Sequence, residues 1–566
     1  MHSSPSATGP RGQIADNRAI THLERLELQF YNLDDQAYCC VGNGLSNQTF
    51  VRGPEGLIAI DTGECVEEME AALKLLREVT DTPIVACIYT HFHYVSGTSA
   101  LLQDSPANPI AIYGHAGIDE NRARIAGAIA PRATRGMVQQ FGINLPEDGP
   151  DALLHCGLGL SYRNKDHAPF TQGYIPAHHQ FTDTLGCTIA GLQVEMVSAP
   201  SDATDSITIW FPELDLVVNN LVWPALFNIY AIRGEAYRDP RVVVAGLDHL
   251  LSLAPNQVVG THGPPLTSDS LITDIQLYRD AIQFIWDQTV RLANRGLSAQ
   301  DIAQQLVLPP GCDENYLTCE FYGLVEHHVR QVYAGVFGWF SELESDLLPL
   351  PSTDRHLRLI QGFGGEASVR AEVRSALDAN DPRWALELGT WLVYREGATE
   401  EDQALLAEAL REVGYTTTSA NLRNWTLTRA RELEGQLPLD KYRRHRFHAA
   451  VLHNQPPDQF LEALAVLVDP TQAAGLDVTL RWEFAGMQPV QARLRNSVLS
   501  AQDISRSQTT PDIVIGLSFE TWVAVLTGTA DLWEAIDEGI VSIEGETKVL
   551  KTVFNALEAE SLQSAE

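Results

Sequence analysis

The feature that most restricts the fold is a set of short apolar runs, each ending on a turn that carries chemistry. GLIAIDTG places Asp61 at its end, PIVACIYTHFH (83–93) ends on His91 and His93, and VVG leads into His262. Apolar runs this short, bounded by glycine or polar turns, read as buried strands. Between the first two, EEMEAALKLLREV (67–79) has helical apolar spacing. LQVEMVSAP, ITIWFPEL and LDLVVNNLVW add further strands. Strands and helices intermixed over residues 21–275 predict an α/β sandwich with helices covering its outer faces.

Beyond residue 275 the periodicity changes. DIQLYRDAIQFIWDQTVRLANRG, YGLVEHHVRQVYAGVFGWFS and DPRWALELGTWLVYREG carry apolar residues at i, i+3 and i+4, predicting an all-helical region over 276–430. Its Trp286, Tyr333, Trp339, Trp384 and Trp391 suit either a core or a dimer interface. From residue 440 to 566, LDVTLRWEFAGM, VQARLRNSVLSAQD and PDIVIGLSFETWVAVLTG predict antiparallel strands feeding a helix, a small α+β domain. Residues 1–20 are polar, lack the apolar core of a signal peptide and read as a disordered leader.

Composition excludes some functions. A net charge of −34 opposes nucleic-acid binding and docking on anionic lipid, so any cation beside a pocket gains significance. No apolar run is long enough to span a membrane. The eight cysteines form no CxxC pair and read as buried free thiols of a reducing, cytoplasmic compartment.

The richest segment is Tyr89-Thr90-His91-Phe92-His93-Tyr94-Val95-Ser96-Gly97. Two histidines at i, i+2 where a buried strand meets a loop can aim both imidazoles at one point, which suits zinc. Bound zinc lowers the pKa of its water to about 7 and supplies hydroxide at neutral pH. His327 and His328 lie in a helical run and read as structural; His178 and His179 read as a solvated turn.

The order strand–Asp61, strand–His91/His93, strand–His262 resembles the metallo-β-lactamase fold. Four dispersed segments narrow this to the alkyl sulfatase branch: 141–159, 227–239, 321–340 and 381–415. The resemblance implies a metallo-β-lactamase-like αββα sandwich, then an all-α dimerisation domain, hence a homodimer, and a C-terminal sterol-carrier-like domain. The family's metal loop reads His-x-His-x-Asp-His and builds two zinc sites. Here Val95 and Ser96 stand where the Asp and second-site His belong, so one zinc per chain is expected. The resemblance further implies Asp202 as the bridging carboxylate, Asn220 in place of a second Glu, and Asp61 as support behind the ligands. His262 matches a ligand of the lost second site and is expected to bond or handle protons. His178, His179 or Asp205 could rebuild what the loop has lost.

For the anion, the resemblance implies that Arg233 grips sulfate, with Arg238 either assisting or pairing with Glu235 or Asp239. Phe141 replaces a family Tyr, removing one hydrogen bond to the ester. Two functions follow. One is a metal-dependent hydrolase of an alkyl sulfate or related amphiphilic ester, with His91, His93, Asp202 and Asn220 as ligands and an apolar channel near Trp223, Phe227 and Tyr230. The other is a non-catalytic member that binds amphiphilic or lipid-like ligands.

Overall fold

A computed structural model describes residues 6–106, 109–453, 455–505 and 509–564. They form two compact units, residues 1–121 with 135–439, and residues 122–134 with 440–566.

The first unit is built on two sheets. Gln29–Leu33, Ala37–Val41, Gln48–Gly53 and Gly56–Ile60 form an antiparallel meander, and Ile84–Ile88, Ala111–His115 and His179–Phe181 extend it in parallel. The second sheet runs Thr184–Ile189, Leu192–Ser198, Ile207–Phe211, Leu216–Asn219, then Gln257–Gly260 in parallel. Their facing sides share one core, Ile58, Ile60 and Ile88 meeting Met196, Ile209 and Val218. The uninterrupted apolar character of IVACI follows, because this strand is buried on both faces. Val66–Arg77 covers the first sheet through Met69, Ala72, Leu73 and Leu76, one helical stripe. This is the expected αββα sandwich.

Two sequence expectations fail here. The leader is ordered from residue 6: Ser6–Thr8 pairs with Ile14–Asp16, the helix Asn17–His22 follows, and Ala15 and Asp16 are fully buried. Its buried polar residues are hydrogen-bonded: Gln13 reaches Leu153 O and Asp16 caps the helix. Residues 1–5 lie outside the described residues. Nor does residue 275 divide two cores, because it falls inside the helix Leu271–Ala293. That helix, Ala299–Gln305 and Val325–Phe337 pack into the core containing Leu221, Trp223 and Phe227. Five further helices, from Ser352–Gly362 to Ala420–Leu433, build smaller cores of their own. Asp381 caps Pro382–Val393 by accepting from Trp384 N, as its Asp-Pro start signal predicts.

In the second unit a five-stranded sheet has the order Val498–Ala501, Val490–Arg495, Asp477–Phe484, Ile513–Leu517, Ser542–Glu544. It is not wholly antiparallel as expected: Asp477–Phe484 and Ile513–Leu517 run parallel, since the chain crosses back through the hairpin strands before rejoining the centre. Phe519–Leu526 and Thr547–Asn555 bury Trp522 and Phe554 against Trp482 and Phe460. Trp482 and Trp522 rings lie 5.7 Å apart and are fully buried, so truncating either to alanine costs about 3–5 kcal/mol.

Candidate active site

The strand Ile84–Ile88 delivers Thr90 and His91 to the edge of the sandwich, and a single 3-10 turn, Phe92–Tyr94, places His93 beside them. His91 Nε2 lies 3.0 Å from His93 Nδ1, and that atom lies 3.4 Å from Asp202 Oδ2. Asp202 comes from the loop before Ile207–Phe211. One nitrogen or oxygen from each of the three lies within 4.8 Å of the others.

Hydrogen bonds behind these groups set which atoms face inward. Asp61 accepts from Thr90 N at 2.8 Å and from the Thr90 hydroxyl at 2.6 Å. With its proton committed to Asp61, the Thr90 oxygen accepts from His91 Nδ1–H at 2.9 Å. His91 Nε2 therefore carries a lone pair toward His93 and Asp202. Asp61 thus stands behind His91, and Thr90 is the link that sequence reasoning missed; an Asp ahead of a Thr-His pair was the available signal. Burial pushes the His91 imidazole down to about 3, so it is neutral, the form that binds a cation. Burial alone would raise Asp202, but the imidazoles of His91 and His93 and the Arg238 guanidinium outweigh it and keep the carboxylate charged. Two imidazoles and a carboxylate with inward donor atoms fit a divalent cation of borderline softness.

Asn220 hydrogen-bonds on both sides of its carboxamide. Trp223 Nε1, which can only donate, lies 3.1 Å from Asn220 Oδ1, and the Asn220 amide nitrogen donates to Asp202 Oδ1 at 2.7 Å. The carboxamide thus accepts from the indole and holds Asp202 through its nitrogen. His262 donates from Nδ1 to Leu45 O at 2.8 Å, leaving Nε2 as an acceptor. Its ring and that of His91 both meet Tyr94 edge-on, at 5.4 and 5.1 Å between centroids. Burial pushes His262 down to about 4.

Val95 and Ser96 bring no second set of ligands together. Val95 is fully buried and its backbone bridges Gly63. His178 and His179 do not rebuild the site: both are exposed, His178 tied to Ile112 N and His179 stacked on Tyr113. Asp205 is buried and accepts from Asn121 at 2.7 Å, outside the three-residue cluster. A second cluster, Cys65, Glu68 and His167, lies elsewhere. There both Glu68 oxygens accept hydrogen bonds, from Gln48 and Glu64 N, and burial pushes the Cys65 thiol up to about 12.

Of the two arginines, it is Arg233 that pairs with Glu235. Arg233 bonds Glu235 through Nε at 3.0 Å and Nη2 at 2.9 Å, and its guanidinium lies 5.6 Å from the Phe141 ring centroid. Phe141 thus supplies an aromatic face where a hydroxyl was missed. Glu235 outweighs burial and raises the Arg233 pKa further. Asp239 caps the next helix and pairs with Arg241. Arg238, buried, donates from Nη1 to Asn228 O at 2.7 Å and makes no ion pair among the described residues. Burial lowers its pKa, with Asp202 opposing. Arg238 therefore feels Asp202 and Glu235 only at a distance, with no ion pair among the described residues. Trp223 and Phe227 are buried and packed together at 4.7 Å between ring centroids, while the Tyr230 ring meets His327. His328 is buried and accepts from Tyr230 N, a structural role. Tyr322, which accepts from Gln140 at 3.0 Å and couples electrostatically to Asp202 and both arginines, had no local signal marking it for the site.

Known proteins resemble the chain over most of its length. Residues 298–436 match the alkyl sulfatase dimerisation family model and residues 447–563 the alkyl sulfatase C-terminal model. A solved stereoselective inverting sec-alkylsulfatase from Pseudomonas sp. has the same fold, with a TM-score of 0.83 and 24% identity over 99% of this chain and 92% of that one. An (R)-specific secondary-alkylsulfatase from Pseudomonas sp. is 28% identical over 91% of this chain and 78% of its own length. A linear primary-alkylsulfatase from Pseudomonas sp. is 30% identical over 90% of this chain and 98% of its own length, and on this full-length match the chain belongs to the alkyl sulfatase family.

Proposed function

We propose that the chain hydrolyses alkyl sulfates, releasing inorganic sulfate from a small amphiphilic anion, with one zinc ion per chain held by His91, His93 and Asp202. The observation that carries this reading is the convergence of His91 Nε2, His93 Nδ1 and Asp202 Oδ2, with the tautomer of His91 fixed by Thr90 and Asp61. Zinc bound there supplies a Lewis acid and an acidified water at neutral pH. The protein's own groups do the rest. Arg238 attracts the sulfate head, whose tetrahedral oxygens match a guanidinium fork. Arg233, oriented by Glu235 and Phe141, adds positive potential without being left bare. His262, neutral and with Nε2 open to accept, is placed to take up the proton released as water attacks and to return it to the departing group. Asn220 keeps Asp202 in position.

The alkyl sulfatase dimerisation match supports assembly of two copies, and exposed Trp339 and Leu348 provide apolar surface for it. Eight cysteines without a disulfide support a reducing, cytoplasmic setting. Among the described residues no helix is long and apolar enough to cross a membrane.

Metal analysis after dialysis, paired with sulfate release from decyl sulfate, tests the reading. About one zinc per chain and release of sulfate are expected. A metal-free chain that binds decyl sulfate without cleaving it would instead establish the non-catalytic amphiphile binder.

A further inference from the structure

With 73 acidic against 39 basic side chains, the chain repels an anion on approach, so an exposed cation in line with the site bears on how fast substrate arrives. Arg163 is such a cation. Its side chain is 42% exposed, whereas that of Arg233 is 12% exposed and Arg238 is buried. Two routes of contact lead inward from it. Its guanidinium lies 5.3 Å from the ring centroids of both Tyr162 and Phe170. Tyr162 stacks on Phe141 at 4.9 Å, and Phe141 faces the Arg233 guanidinium. On the second route Arg163 Nε meets Glu64 Oε2 at 3.4 Å, and the nearly buried Glu64 feels the charges of both Arg163 and Arg233. The segment that carries Arg163 is pinned beside the metal loop, where Gly173 N donates to Ser96 O at 2.7 Å and Val66 N to Thr171 O at 2.9 Å.

The bond to Glu64 is loose, a single contact at 3.4 Å where charge-assisted hydrogen bonds measure about 2.7–2.9 Å. Arg233, by contrast, bonds Glu235 through two nitrogens within 3.0 Å. Ring faces hold the Arg163 guanidinium, and its terminal nitrogens make no hydrogen bond among the described residues. We propose that Arg163 is the outer anion contact of the site: it draws the sulfate head of the incoming substrate to the exposed edge and, exchanging Glu64 for a sulfate oxygen, passes it to the buried arginines. The identity of the anion rests on the alkyl sulfate reading. Arg163 is thereby assigned to encounter, and hydrolysis is left to the groups within.

Decyl sulfonate, which has no ester bond to cleave, is the probe, and its association with the full chain is followed by stopped-flow fluorescence over a range of ionic strength. Arg163→Ala is expected to slow association about three- to tenfold at low salt and to flatten its salt dependence, because a charge at the rim acts on the on-rate. The dissociation rate and the melting temperature are expected to hold. Arg163→Lys, which keeps the charge, is expected to restore most of the wild-type rate. An unchanged association rate in the alanine variant, or a lysine variant as slow as the alanine one, overturns the proposal and leaves Arg163 a structural partner of Glu64. Association set by Arg163 in a chain that releases no sulfate from decyl sulfate would sink the hydrolytic reading and keep this one. A chain that does not bind decyl sulfonate overturns both.

Discussion

The two halves of the candidate site are built on opposite electrostatic plans. On the metal side, Asp61 and Thr90 bond the rear of His91, Asn220 holds Asp202, and Leu45 O fixes His262. On the anion side the cations share the available partners unequally: Glu235 takes Arg233, and Arg238 keeps its charge. The metal side is therefore organised before anything binds, while the anion side carries a buried charge that its ligand would compensate. Pre-organisation of this kind shows up as affinity for metal and as rate. A buried charge without an ion pair shows up as affinity for substrate.

The largest expected effect breaks the first half of the comparison. His91→Ala should abolish zinc retention and lower sulfate release at least about a thousandfold, because a Lewis acid supplies several kcal/mol and each 1.36 kcal/mol is tenfold. Metal content and turnover, measured on the same sample, must fall together. Full zinc retention by this variant would move the metal elsewhere.

Next in size is the contrast between the arginines. Arg238→Ala should raise KM for decyl sulfate by roughly 10- to 100-fold, the worth of one or two charge-assisted hydrogen bonds, with the melting temperature held or raised. Arg233→Ala strands the half-buried Glu235 carboxylate, so its main readout should be a loss of stability, on the order of a few kcal/mol. The reverse pattern, a KM effect at Arg233 and a stability effect at Arg238, would exchange the roles assigned to them.

How far the sequence reveals these plans depends on the range over which each is decided. His91 and His93 are legible because i, i+2 spacing at the end of an apolar strand is local. The sandwich is legible for the same reason, its strands being marked by uninterrupted runs such as IVACI. Asn220 is not: a carboxamide three residues from Trp223 could face either way, and only the indole N–H 3.1 Å from its oxygen decides it. The arginines turn on which guanidinium reaches Glu235, a question of loop path. The excursion 122–134, which packs with residues 440–566, leaves no trace in composition. The ordered start is hidden likewise, because polar Gln13 and Asp16 are buried by hydrogen bonds that form only on folding.

A smaller effect sharpens the account of the metal side. Asn220→Ala removes the donor that holds Asp202 and leaves the Trp223 indole without its acceptor, yet keeps all three ligands. Zinc affinity should weaken about 10- to 100-fold, the usual cost of losing a partner behind a ligand. Competition with a chelator of known affinity measures this. An unchanged affinity would show that Asp202 needs no such support.

The smallest effect tests what lies beneath that side. Glu68 is buried under the turn that follows Asp61, so close that a Cβ on Gly63 would sit 2.4 Å from its carboxyl oxygen. Burial, reinforced by the neighbouring Glu64, pushes its carboxyl up to about 8 from an unfolded value of 4.5. The folded state thus holds a proton that the unfolded chain gives up. The contribution to stability is complete below about pH 4.5 and declines as the pH rises toward 8, by on the order of 1 kcal/mol per pH unit at most. Glu68→Gln cannot titrate, so its melting temperature should fall less steeply over that window than the wild type's. The slope is the proper readout, because the new amide disturbs the bond from Glu64 N and shifts the absolute value. If the two slopes coincide, the acid beneath the turn is ionised in the folded protein and the metal side rests on a charge, not on a neutral floor.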